Sequence, residues 1–175
     1  MKKSFALFLS LVILLCPLAL AEETPPPAFR VDFLQIQLPG TPSSTGESTI
    51  FDFEDTSVEM DQYTLVSGDV SCVITDYSAA ASSLPREEFE KAYRGDAFLT
   101  GVYKAFTVEK SYPLDLGVPE NDMTAFVEEG AAFGMPYFVC HCWRGNSLVV
   151  ITATGGHDGY KAFLDALNTI RYAGA

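Results

Sequence analysis

Tyr137-Phe138-Val139-Cys140-His141-Cys142-Trp143-Arg144-Gly145-Asn146-Ser147-Leu148-Val149-Val150-Ile151-Thr152-Ala153-Thr154 is the stretch whose reading decides the fold. Two runs rich in β-branched and aromatic residues flank Gly145-Asn146, a pair that tolerates the positive φ of a two-residue hairpin turn. Pairing Arg144 with Ser147 sets the register. Cys142 then faces Val149, Cys140 faces Ile151 and Phe138 faces Ala153, and these side chains share one face of the ribbon. Val139, His141 and Trp143 share the other face with Leu148, Val150 and Thr152. Both faces carry apolar bulk, so this hairpin is expected at the centre of a sheet covered on both sides.

Downstream, Gly155-Gly156 connects to an amphipathic helix, with Asp158 in the place of an N-cap. Tyr160, Phe163, Leu164, Leu167 and Ile170 follow helical spacing and predict a core-facing stripe. Upstream, Met123 to Glu129 fits a helix stopped by Gly130 or a strand, and both readings stay open. Residues 111 to 122 carry Pro113, Gly117 and Pro119 and predict a loop. Val102 to Glu109 is a strand candidate. Pro85 to Phe98 predicts a helix, with Ser83 as a cap, Glu87 and Glu88 complementing its dipole, and Phe89, Tyr93 and Ala97 on one face. Tyr63 to Val66 and Val70 to Tyr77 predict a hairpin about Ser67-Gly68-Asp69. Thr49 to Phe53 is a short strand, residues 41 to 48 are a loop by composition, and Phe29 to Leu38 is a strand ended by Pro39-Gly40.

The chain opens with Met1-Lys2-Lys3, an apolar run from Phe5 to Leu15, Pro17, and Ala19-Leu20-Ala21. This charged, apolar, small-residue order is that of a cleavable signal peptide, and cleavage is expected between Ala21 and Glu22. The apolar run is shorter than the roughly 20 residues that span a bilayer, which argues against a retained anchor. Leu15 stands before Cys16 where a lipoprotein signal has a small residue. The sequence thus divides into a signal segment 1–21, a proline-rich tether 22–28 and one domain 29–175. The expected place of work is secreted or extracytoplasmic, with no stable membrane insertion after cleavage.

Composition narrows the partners. The 175 residues carry a net charge of −12, and loss of Lys2 and Lys3 would take it to −14. Such a surface repels phosphate backbones, so no nucleic-acid partner is expected. Asp52, Glu54 and Asp55 form the densest acidic group and match no calcium-loop spacing.

The order of elements is a strand with a Pro-Gly exit, a hairpin, a helix, further strands, a long hairpin and a closing amphipathic helix. With Ile36-Gln37-Leu38-Pro39-Gly40-Thr41-Pro42 as its opening, it resembles the PsbP-like sandwich over most of residues 29 to 172. The resemblance implies an α+β fold, an antiparallel sheet with helices packed on its faces, and non-enzymatic binding or accessory roles. No functional residue is carried over from it.

Chemistry-bearing residues are few. Cys140 and Cys142 point the same way on their strand, roughly 6.6 Å apart at the strand repeat, while His141 points to the other face. That separation argues against a mutual disulfide and leaves Cys72 as the partner for at most one bridge. Cys72, Cys140 and Cys142 are also candidate thiolate ligands for a thiophilic metal, or a redox group, although buried cysteine most often serves as a small apolar residue. His157, beside Asp158, is a candidate acid–base group. Ser147 lies in a turn without a Gly-x-Ser-x-Gly frame, which leaves a small hydrolase as the least favoured class. Tyr112, Tyr137, Trp143 and Tyr160 are candidates for an aromatic binding surface. No cofactor motif is present. The reading that results is an exported, non-catalytic binding or accessory protein whose partner is a protein or a small molecule, with a thiol-based metal or redox protein as the alternative.

Overall fold

The computed structural model describes residues 27–44, 49–53, 56–95, 105–116 and 122–174. The signal segment, most of the tether, Glu54, Asp55 and the expected helix end at 96–98 lie outside the described residues. The strands are β1 Phe29–Val31, β2 Leu34–Ile36, β3 Ser43–Ser44, β4 Thr49–Phe53, β5 Thr56–Ser67, β6 Val70–Asp76, β7 Phe106–Leu114, β8 Met123–Ala132, β9 Met135–Arg144, β10 Ser147–Thr154 and β11 Arg171–Tyr172. The helices are α1 Ser78–Ser83, α2 Arg86–Gly95 and α3 His157–Ala166, the last continued by a 3-10 turn at Leu167–Thr169. The fold is thus mostly antiparallel sheet with a few helices, less evenly α+β than the pattern of elements suggests.

The main sheet has the order β3-β5-β6-β10-β9-β8-β7, with β4 paired to β5 outside that path. The chain leaves β6 through α1 and α2, enters at the far edge as β7, and returns as a meander until β10 closes against β6. The β9–β10 hairpin therefore lies in the middle, in the register its turn predicts: Ser147 opposite Arg144, Val149 opposite Cys142, Ile151 opposite Cys140. A second, three-stranded sheet of order β1-β2-β11 ties the beginning of the domain to its end.

Both faces of the hairpin are buried, as its two apolar stripes require. On one side Phe138, Cys140, Cys142, Val149, Ile151 and Ala153 join Tyr160, Phe163, Leu167 and Ile170 of the α3 region and Leu34 and Ile36 of the small sheet. On the other, Val139, Leu148 and Val150 pack with Tyr77, Ala80, Ala81, Phe89 and Tyr93 from α1 and α2. The predicted stripe of α3 is core, with Leu164 half-buried. Gly156, not Asp158, occupies the cap position, and Asp158 lies in the first turn, where its charge complements the dipole. Glycine is needed just before the cap, at Gly155, whose φ is +153° and where a Cβ would run into the Asp69 carbonyl oxygen; at Gly156 a Cβ would meet only the Asp69 carboxylate. The β5–β6 turn thus presses on the entry to α3.

Other expectations change. Met123 to Glu129 is strand, because β8 pairs on both sides with β7 and β9 and that ladder overrides local helical spacing. The loop expected from residue 111 onward is strand as far as Leu114. Pro113 is tolerated because β7 is an edge strand and owes no second ladder bond. Phe29 to Leu38 is not one strand but a hairpin, with Asp32 at positive φ in its turn. The β5–β6 turn is two residues, since Ser67 pairs with Val70. Ser83 does not cap α2; its hydroxyl donates to the Ala80 carbonyl at 2.7 Å. Helix α1 has no counterpart in the sequence pattern, and it starts where the Asp76 carboxylate accepts the Ser78 N–H at 2.8 Å.

Candidate functional site

Cys72, Cys140 and Cys142 are all free and buried. Cys140 and Cys142 approach more closely than the strand repeat implies, with their sulfurs 3.7 Å apart. Rotation about χ1 closes a gap that the backbone spacing alone leaves open. Cys72 does not join them. It stands opposite Ala153, two strands from Cys140 across β10 and two residues along, so their Cα atoms lie about 12 Å apart at ordinary strand spacing. A bridge needs Cα atoms within about 7 Å, so a disulfide through Cys72 is ruled out for this fold. The three sulfurs do not converge, and among the described residues no three His, Cys, Asp or Glu side chains are placed to share a metal ion.

Cys72 and Cys142 are also poorly ionised. Burial pushes the Cys72 thiol from its ordinary value of 9.0 to about 12. Cys142 is raised well above the ordinary range, first by its hydrogen bond with Cys140 and then by burial. A thiol held as SH is a weak nucleophile and a weak ligand.

His141 lies on the opposite face of β9, as alternation requires, and is 4% exposed. Its ring meets that of Tyr93 edge-on, with centroids 5.7 Å apart. His157 is exposed at the start of α3, on the other side of the sheet.

The four aromatic candidates separate. Tyr112 and Tyr160 converge on Glu129: the Tyr112 hydroxyl donates to Glu129 Oε1 at 2.7 Å. Both phenols are raised, chiefly by burial and then by Glu129, so each remains a protonated donor. This cluster ties β7 and β8 to α3. Tyr137 packs against Phe106, ring centroids 4.9 Å apart. Tyr160 lines a pocket of ≈ 270 Å³ beside His157, and Trp143 borders one of ≈ 330 Å³ on the opposite side of the sheet.

The pocket of ≈ 330 Å³ lies between α2 and strands β7–β9. Tyr93, Pro113, Phe126, His141 and Trp143 supply apolar and aromatic wall; Arg86 and Glu90 supply charge. Arg86 lies over the Trp143 ring at 4.4 Å, and its Nε bonds Glu90 Oε1 at 2.9 Å. Phe89 meets the Trp143 ring edge-on from beneath α2, centroids 6.0 Å apart, and so fixes its orientation. Its volume lies at the small end of the range of small-molecule sites. The sequence signal that was available was the i,i+4 spacing of Arg86 and Glu90 on a predicted helix. Nothing local places that pair against Trp143.

No protein-family model matches the chain. No curated protein matches it either. Solved structures with some likeness include the Pseudomonas aeruginosa protein of unknown function PA94, at 14% identity and a TM-score of 0.42, covering 74% of this chain and 100% of that one. Among the described residues no helix is long and apolar enough to cross a membrane.

Proposed function

We propose that this chain is an exported, non-catalytic binding or accessory protein of the cell envelope or extracellular space, an α+β sandwich of the PsbP-like kind, with its ligand seat between α2 and β7–β9. The pocket of ≈ 330 Å³ carries the reading. It unites aromatic walls from the sheet with a charged pair from a helix, and its size admits a small molecule. The opening segment 1–21 supports export. A binding role suits a site whose titratable floor, His141, is packed edge-on against Tyr93 while the hairpin cysteines face the other way. The thiol reading has the 3.7 Å approach of Cys140 and Cys142 in its favour. Their burial and the raised Cys142 thiol weigh against it.

The test is a ligand-observed NMR screen of small aromatic and apolar molecules against the chain and against Thr124→Phe, which fills the pocket from an exposed position. Hits that bind the parent chain and lose binding to Thr124→Phe support the seat. Hits that bind both equally, or no hits at all, refute it.

A further inference from the structure

We infer that the ligand of this seat is a small zwitterion with an apolar or aromatic tail, of the free α-amino-acid class; the inference rests on the pocket being a ligand seat. The pocket offers a base and an acid side by side. Arg86 and Glu90 both line it, one turn apart on α2, with side chains 48% and 41% exposed. An exposed pair of this kind contributes little to stability, so its contacts are readily exchanged for those of a ligand. The Arg86 guanidinium is a planar fork suited to a carboxylate, and the Glu90 carboxylate accepts from an ammonium. An α-amino acid carries both charges on one carbon, a few ångströms apart, as Arg86 and Glu90 do. Its side chain would then lie against Phe126, Tyr93, Pro113 and Trp143.

Singly charged ligands fit less well. An anion would leave Glu90 facing it, inside a chain whose net charge is already −12. A cation would leave Arg86 facing it, and the Trp143 face that attracts cations is already taken by Arg86 at 4.4 Å. A neutral apolar ligand would use the floor and leave both charges at the mouth unused.

Isothermal titration with L-phenylalanine, N-acetyl-L-phenylalanine and phenethylamine decides the matter. The first keeps both charges, the second only the anion, the third only the cation. L-Phenylalanine is expected to bind at least about tenfold more tightly than either analogue. Arg86→Gln should remove its advantage over phenethylamine, and Glu90→Gln its advantage over N-acetylphenylalanine. Both variants sit at half-exposed positions, and their unchanged thermal unfolding would show that the fold survives. If either analogue binds as tightly as L-phenylalanine, the zwitterion class is wrong. If none of the three binds while screen hits still lose binding to Thr124→Phe, the class is likewise wrong and the seat stands. If no molecule binds in a Thr124→Phe-sensitive manner, seat and class fall together.

Discussion

Gly130 is the position where one added methyl group tests the sheet. It lies on β8 opposite Val108, where the β7 register shifts between Val108 and Lys110. A Cβ there would run into the Thr107 carbonyl oxygen and stand 2.8 Å from its carbon and 3.1 Å from the Glu109 nitrogen. Such contacts do not fall below 3.0 Å, so β7 must retreat, and the obstacle is backbone, which cannot swing aside as a side chain can. Gly130→Ala would otherwise gain about 0.5–1 kcal/mol from a stiffer unfolded chain. Against that, overpacking costs about 1–3 kcal/mol, and each ladder bond lost at the bulge about 1 kcal/mol. The expected net loss is about 2 kcal/mol. Because β7 is an edge strand, part of it should appear as local opening. Urea unfolding would show a lower midpoint at unchanged slope, and hydrogen exchange would quicken first at β7 and its β8 partners. A Gly130→Ala variant as stable as the parent, with β7 amides still protected, would refute the bulge and with it the placement of Pro113 at the pocket.

Leu167→Ala, at a residue 1% exposed beneath the small sheet, should cost about 2–5 kcal/mol in the same urea assay; a loss under about 0.5 kcal/mol would put the α3 stripe on the surface. Burial raises the Cys72 thiol to about 12, so the folded chain keeps a proton that the unfolded chain loses above 9.0. That contribution is whole below pH 9 and is lost as pH rises toward 12, by about 1.4 kcal/mol per pH unit. The stability of Cys72→Ala should therefore fall less steeply than that of the parent between about pH 9 and 10.5, and parallel slopes would show that Cys72 ionises normally. Ellman's reagent should find three slow thiols in exported, folded protein, and a disulfide mapped to Cys72 after denaturation without reductant would contradict its separation of about 12 Å from Cys140. N-terminal sequencing of exported material should begin at Glu22, and a start at a lipid-modified Cys16 would contradict the reading of the opening segment.

Some of the architecture was legible because it is written locally. Gly145-Asn146 admits one short turn, strand period two then assigns every side chain from Tyr137 to Thr154 to a face, and the observed register agrees residue by residue. The α3 stripe was legible for the corresponding reason at period 3.6. Where local signals competed with pairing, pairing won. Met123, Phe126 and Val127 satisfy helical spacing, but two neighbouring strands supply hydrogen bonds that an isolated short helix could not match. Pro113 reads as a breaker, yet an edge strand leaves its missing N–H without consequence.

The sites divide in the same way. Alternation alone sent His141 and the two hairpin cysteines to opposite faces, and composition alone argued against a nucleic-acid surface. What alternation cannot supply is the lateral order of strands. Whether Cys72 stands beside Cys140 or two strands away depends on β10 inserting between β6 and β9, a pairing of segments some 80 residues apart. The pocket is likewise a product of tertiary structure. Arg86 and Glu90 come from a helix, Trp143 and His141 from the central hairpin, and Phe126 and Pro113 from the outer strands. Each was visible in the sequence by itself. Their meeting is decided by burial of the α2 face, through Phe89 and Tyr93, against one side of a sheet whose other side is taken by α3, because both apolar faces of the central hairpin must be covered at once.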